Sequence, residues 1–287
     1  MRYLVVAAIT LLLTSCVHKS PFVDEYYFQA MGGESDFVVS VDVDKIKKED
    51  PTLIGVNDPL IKELIERSSR ISVSLTSDEY PMKDINYSGA LEGDFSKFLL
   101  NTGMLWSSEF EKVNVEHEYY TNGDIQARVA KNGLFLFSNE DYEKLYETTY
   151  ENRVIHISDD IASLIASNVM GLYVKDPKTM FDLGFELPLA VLSKIDYALM
   201  YVCLIDGAYY LNTDIYMKET NDSNTLLSLI RNAVLAGLKS EGIRPDVKAL
   251  AKQYKKDKNI VQLRDIVMSD EQVKTFTSTI TDLGQTK

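Results

Sequence analysis

The sequence predicts an α+β fold: two tandem ferredoxin-like antiparallel sheet domains, with helices on one face of each sheet. Three observations predict it. Short runs of alternating apolar and polar residues recur along the chain, several of them joined by Asn-Gly or Asp-Gly pairs. Longer segments with helical periodicity follow them. The order β-α-β-β-α-β-β-α also fits both halves. "LFLFSNEDYEKLYETT" and "DIVMSDEQVKTFTSTI" share a strand, a Ser cap, an acidic first turn and a helix. Ser138 and Ser269 stand 131 residues apart, as do the first strands near Val41 and Leu172. The pattern therefore reads as an internal duplication, with a first domain over 36–156 and a second over 157–287.

The elements follow in order. "DFVVSVDVDKI" alternates, with Val41 and Val43 on one side and Ser40, Asp42 and Asp44 on the other, as in a half-buried strand. "NDPLIKELIERSS" opens on a cap at Asn57 or Asp58, with Pro59 in the first turn of an amphipathic helix. "RISVSLTS" and "DINYSGALEGD" read as strands, and "FSKFLLNTGMLW" as a helix. Asn122-Gly123 and Asn132-Gly133 then punctuate a hairpin series, because both residue types accept positive φ. In "SNEDYEKLYETTY", Ser138 caps a helix whose first turn is acidic.

In the second half, "SNVMGLYVKD" is a strand and "ELPLAVLSKI" a short helix. Asp206-Gly207 turns a hairpin, and "SNTLLSLIRNAVLAGLKSEG" is a long amphipathic helix ending near Gly242. "NIVQLRDIVMS" reads as a hairpin and "SDEQVKTFTSTI" as a capped helix.

The chain has 287 residues, 45% of them hydrophobic and 25% charged, which suits a globular body with a sizeable core. Its formal net charge of −13 repels phosphate backbones, so nucleic acid is not an expected partner. Lys252, Lys255, Lys256 and Lys258 cluster between acidic residues and read as a solvated turn.

The N-terminus reads as an export signal. In "MRYLVVAAITLLLTSC", Arg2 supplies the positive end, and Leu4 to Leu13 form an apolar run too short to span a bilayer. The run ends on Leu13-Thr14-Ser15-Cys16, an aliphatic residue, two small ones and a cysteine. That tetrad resembles the lipobox of bacterial lipoproteins. The resemblance implies that residues 1–15 are a signal peptide cut before Cys16, and that Cys16 carries the acyl chains. It also implies a membrane-anchored protein of the cell envelope. Two or three acyl chains hold firmly where one holds only marginally. Val17 stands where an Asp retains some lipoproteins in the inner membrane, which favours the outer membrane, with the periplasmic or surface face left open. Residues 16–35 read as a lipid-anchored tether, with Tyr26, Tyr27 and Phe28 available to pack against a body that begins near Asp36. The body itself loosely resembles the duplicated α+β domains of other bacterial envelope lipoproteins.

No catalytic constellation stands out. His18, His117 and His156 have no metal-ligand spacing. His18 lies in the tether, His117 reads as a strand-surface residue and His156 as packed between the halves. Asp42 and Asp44 share a strand face, but "DVDKIKKED" lacks the glycine of a calcium loop. No phosphate loop or nucleophile elbow is present. Cys203 sits in "YALMYVCLI" and reads as a small buried hydrophobe. Of the 17 tyrosines, the doublets Tyr119-Tyr120 and Tyr209-Tyr210 each leave one ring available to a partner if they lie in strands.

The expected function is therefore a non-enzymatic, cofactor-free envelope lipoprotein that binds an envelope or host protein or an envelope polymer. A small-molecule or lipid carrier with an apolar pocket is the alternative. An envelope hydrolase is the weaker one.

Overall fold

The computed structural model describes residues 25–33, 35–49, 59–77, 84–180, 188–240, 242–269 and 271–273. The first half contributes strands β1 (Phe37–Asp42), β2 (Ser68–Thr76), β3 (Asn86–Gly93), β4 (Glu111–Val113), β5 (Tyr119–Thr121), β6 (Gln126–Lys131) and β7 (Leu134–Ser138). The second contributes β8 (Met170–Val174), β9 (Ile195–Ile205), β10 (Ala208–Met217), β11 (Tyr254–Asp257) and β12 (Ile260–Met268). The helices are α1 (Phe28–Met31), α2 (Val43–Glu49), α3 (Pro59–Arg67), α4 (Lys97–Trp106), α5 (Tyr142–Tyr146), α6 (Asp159–Ser167), α7 (Leu189–Leu192), α8 (Asp222–Ser240) and α9 (Val247–Gln253). A π-helical turn (Glu147–Glu151) continues α5.

Among the described residues the strands form one sheet, in the order β11-β12-β10-β9-β8-β1-β2-β3-β7-β6-β5-β4. The expectation of two separate sheets is corrected here. β1 and β8 pair antiparallel, Phe37 opposite Val174 and Val41 opposite Met170, and this seam fuses the halves. The order also departs from a ferredoxin-like arrangement. In each half the first two strands are direct antiparallel neighbours, β1 with β2 and β8 with β9. Outward from the seam, the first half runs β1-β2-β3-β7-β6 and the second β8-β9-β10-β12-β11. The five strands nearest the seam thus follow the same order in both halves, and the first half adds β5 and β4 at its outer edge.

Helices cover both faces of the sheet, not one. On one face Val39, Val41, Val73, Leu172 and Met200 pack with Ile46 of α2 and Leu226 of α8. On the other, Val38, Ala90 and Leu136 pack with Phe28 of α1, Leu145 of α5 and Ile165 of α6. This double cover explains β1, whose first five residues are all buried. It is a central strand rather than a half-buried one.

Local chemistry accounts for most boundaries. Asp206 and Gly207 both have positive φ, 52° and 78°, as a tight two-residue hairpin requires. Ser96 caps α4 by accepting from the Leu99 amide at 3.3 Å, and Asp141 caps α5 by accepting from the Lys144 amide at 3.0 Å. Four readings change. Strand β1 stops at Asp42 and α2 starts at Val43, so Asp42 and Asp44 do not share a strand face. Residues 260–268 are a single strand, whose hairpin partner is β11. That strand carries Lys255 and Lys256, while Lys252 lies on α9 and Lys258 in the turn. Residues 25–33, assigned to the tether, are built into the body: Tyr27 is 3% exposed and Phe28 fully buried. Arg153 also donates to the Tyr26 carbonyl at 3.2 Å and to Gln29 Oε1 at 3.0 Å. Residues 1–24, including the signal peptide, His18 and Cys16, lie outside the described residues, as does most of the predicted C-terminal helix.

A charged row crosses the sheet beneath α1. Asp42 pairs with Arg70, and Arg70 with Glu92, in register across β1, β2 and β3. Arg70 is 4% exposed and Glu92 1%. The guanidinium lies 3.9 Å from Asp42 and 4.0 Å from Glu92, and donates to Ser40 Oγ at 3.2 Å. Tyr26 and Phe28 place their rings 5.8 and 6.0 Å from the Arg70 guanidinium carbon. Among the described residues, no helix is long and apolar enough to cross a membrane.

Candidate functional site

Two registers along from the charged row, the same face carries hydroxyls. Ser74 of β2 lies opposite Ser88 of β3, and Ser88 opposite Ser138 of β7. Cross-strand partners point to one face, so the three side chains form a polar floor. Ser74 donates to the Ser88 carbonyl at 3.3 Å, and Ser88 donates to Ser138 Oγ at 3.1 Å. Ser138 in turn accepts from the Glu140 and Asp141 amides at 3.1 and 3.2 Å, which fixes the turn into α5. The predicted Ser138 cap is thus realised as a turn, and Asp141 takes the N-cap position.

Above this floor is a cavity of about 350 Å³. Met31 of α1 and Leu145 of α5 present apolar surface to it, and Thr148 and Thr149 line it from the π-helical turn. Thr149 is fully buried, so its Oγ1, which has no hydrogen-bond partner among the described residues, does not open onto the cavity. Tyr142 Oη and Thr213 Oγ1 share that condition, but neither lines this cavity. A π-helical turn often marks a functional position, since it diverts side chains that an α-helix would align differently.

Exposed Glu140, Asp141, Lys144 and His156 stand around the cavity. His156 is not packed between halves as expected. Its ring lies against Gly33, where an added Cβ would sit 2.5 Å from Nε2, so the glycine is what admits the imidazole. The backbone amide of His156 donates to the Gln29 carbonyl at 3.0 Å, tying this segment to α1.

The other sequence candidates scatter. His117 is not on a strand. It stacks on Tyr146, ring centroids 4.5 Å apart, with Nε2 3.2 Å from Glu151 and 3.7 Å from Glu147. Cys203 is half-buried rather than core. It donates to Asn168 Oδ1 at 2.9 Å and accepts from Asn212 Nδ2 at 3.2 Å, and burial pushes its thiol up, away from reactivity. Tyr120 and Tyr209 are buried while Tyr119 and Tyr210 are partly exposed, as strand alternation dictates. Among the described residues, no three His, Cys, Asp or Glu side chains gather to hold a metal. A wider cleft of about 630 Å³ lies beside Tyr173 and Tyr197, flanked by Lys175, Lys218, Asp36 and Asp196. There Tyr197 stacks on Tyr216 at 4.2 Å.

The sequence reading missed the cavity. Its serines come from three strands whose pairing is non-local, and Thr149 lies in a segment read as ordinary helix.

No protein-family model matches the chain, and no curated relative matches it. Solved structures do. Crystal form I of TP0453 is similar with a TM-score of 0.61 and 11% identity, over 91% of this chain and 99% of that one. Crystal form III is similar with a TM-score of 0.58 and 13% identity, over 88% of this chain and 97% of that one. At such identity the likeness is one of fold.

Proposed function

We propose that this chain is a non-enzymatic lipoprotein of the bacterial cell envelope, held to the membrane by acyl chains on Cys16, whose body binds a small molecule in the cavity above Ser74, Ser88 and Ser138. The anchoring part is supported by the Leu13-Thr14-Ser15-Cys16 tetrad behind an apolar run of export-signal length. The binding part is carried by one observation: a 350 Å³ cavity over a floor of strand hydroxyls. The carrier reading is thereby preferred, with apolar surface from Met31 and Leu145 beside the strand hydroxyls. Outer-membrane residence belongs to the same proposal and is supported by Val17. A duplication is also part of it, supported by the shared strand order on either side of the β1–β8 seam.

A second reading has its own observation. Trp106 is 83% exposed and Phe98 75% exposed on α4. Large apolar side chains so placed favour an envelope or host protein partner.

The anchor is tested by Cys16→Ala in the native host. The variant is expected to leave the membrane fraction and appear in the soluble fraction with its fold intact. Retention in the membrane fraction at the wild-type level would contradict the anchor.

A further inference from the structure

We infer that the groove between α8 and α9, at the β11 end of the sheet, docks an acidic amphipathic helix of a partner protein. The groove lies apart from the cavity over the serine floor, and its occupancy does not depend on what that cavity binds.

An apolar seam is the first observation. The buried residues of α8 are Ser223, Leu226 and Leu227, all in its first two turns. Residues 228–240, about 20 Å of helix, carry no buried side chain. Val234 and Leu235 of that stretch, with Val247, Leu250 and Tyr254, line an apolar groove of about 80 Å³. Arg231 holds its walls together: the guanidinium donates to the Tyr254 carbonyl at 3.1 Å and so ties α8 to β11. Val247 is 67% exposed and Ile243 49%, so apolar surface continues out of the groove.

Charge is the second. The whole chain carries −13, yet residues 239–258 hold seven cations against three acids. Lys239, Arg244, Lys248 and Lys252 are exposed on the helices and loop that bound the groove. Lys255, Lys256 and Lys258 extend the patch along β11 and its turn. Among the described residues no ion pair involves any of the seven. Of the acids, Asp246 is engaged as the N-cap of α9, accepting from the Lys248 and Ala249 amides at 2.9 and 3.1 Å. Lys248 and Lys252 stand four apart on one flank of α9, where like charges repel and weaken the helix unless an anion lies beside them. Lysines on an edge strand also keep it from pairing with other strands. That role accounts for Lys255 and Lys256 but not for the four cations off the strand. An apolar centre with a cationic rim complements a helix whose apolar stripe is flanked by Asp or Glu.

Position is the third, and it alone rests on the proposed anchor. β11 lies nine strand steps from β6, about 43 Å across the sheet. Lys131, at the end of β6, pairs with Glu25 at 2.7 Å, where the chain arrives from Cys16. The anchor therefore does not itself bring the groove to the bilayer, which favours a protein over a lipid surface as its occupant.

The test is fluorescence anisotropy on the full chain in phosphatidylcholine discs, with empty discs as the blank. The probe is a labelled peptide of about 18 residues with leucine on one helical face and glutamate elsewhere. The same peptide with lysine for glutamate, and polyglutamate of equal length, are its controls. The expected result is saturable binding of the leucine–glutamate peptide, none of the lysine peptide, and binding of polyglutamate at least ten-fold weaker. Raising salt from about 50 to about 300 mM is expected to weaken binding at least five-fold. Lys248→Glu with Lys252→Glu, and separately Val247→Asp, are each expected to cost at least ten-fold. These positions are exposed, so circular dichroism is expected to stay unchanged. Lys62→Glu on α3 is expected to leave binding intact. Equal binding of the lysine peptide or of polyglutamate overturns the match of charge or of groove. Silence of the leucine–glutamate peptide up to about 100 μM overturns the inference. So does capture by phosphatidylglycerol vesicles with that peptide silent, which assigns the patch to a lipid surface. A dimer in ultracentrifugation that Lys248→Glu with Lys252→Glu dissociates assigns the groove to a second copy and overturns it too. None of these readouts involves the cavity over the serine floor, so failure here leaves the proposed function standing.

Discussion

Arg70→Ala is expected to lower the stability of the body by about 3–5 kcal/mol, read as a fall in the denaturant midpoint at unchanged slope. The magnitude follows from what the change leaves behind. Asp42 and Glu92 stand on either side of the guanidinium in one cross-strand row, and Glu92 is 1% exposed. Without Arg70 the Glu92 carboxylate borders a small void beneath Phe28 and cannot reach bulk water without disturbing α1, while Asp42 keeps its 3.1 Å pair with Lys45. Attraction inside the row is not itself the main stabilising quantity, because desolvating three charged groups offsets much of it. The penalty lies in removing one member. The double variant Arg70→Met with Glu92→Leu is therefore expected to recover most of the loss. A single variant within 0.5 kcal/mol of wild type would show that the row is solvated, contrary to its burial.

The second large effect is expected at Phe28→Ala, again about 3–5 kcal/mol. Phe28 is fully buried, packs with Tyr26 at 5.8 Å between ring centroids, and covers Arg70. Truncation opens a cavity at the point where α1 joins the sheet, and it exposes the charged row to partial hydration. Urea denaturation followed by tyrosine fluorescence or circular dichroism measures it. If residues 25–33 were a tether, the change would cost almost nothing. The experiment therefore decides between the boundary expected near Asp36 and the one the packing indicates near Glu25.

These two positions also show what the sequence could and could not convey. Turns were legible because their chemistry is local: Gly123, Gly133 and Gly207 all adopt the positive φ that Asn-Gly and Asp-Gly pairs forecast. Most strand and helix assignments follow from alternation and helical period over adjacent residues, and they stand. What failed was non-local. Nothing in "DFVVSVD" or "MGLYV" says that these two strands pair with each other and fuse the halves into one sheet. Burial of β1 on both faces depends on helices contributed by both halves of the chain. "YYFQAM" is short and mixed, so its burial is decided by the groove that receives it rather than by its own periodicity. The cavity was illegible for the same reason. Ser74, Ser88 and Ser138 are ordinary strand serines until register aligns them, and Thr149 looks like a helix-surface residue until the π-helical turn directs it inward. Cys16 is the opposite case: its motif is contiguous and was read in full from the sequence, while its chemistry lies outside the described residues.

The central claim is that the body is held to an envelope membrane through Cys16. The most direct measurement is the mass of the N-terminal peptide of the protein isolated from its native membrane. The account predicts a peptide that begins at Cys16 and carries the added mass of a diacylglyceryl group, with or without an amide-linked acyl chain. A peptide that begins at any other residue, or an unmodified Cys16, would contradict it.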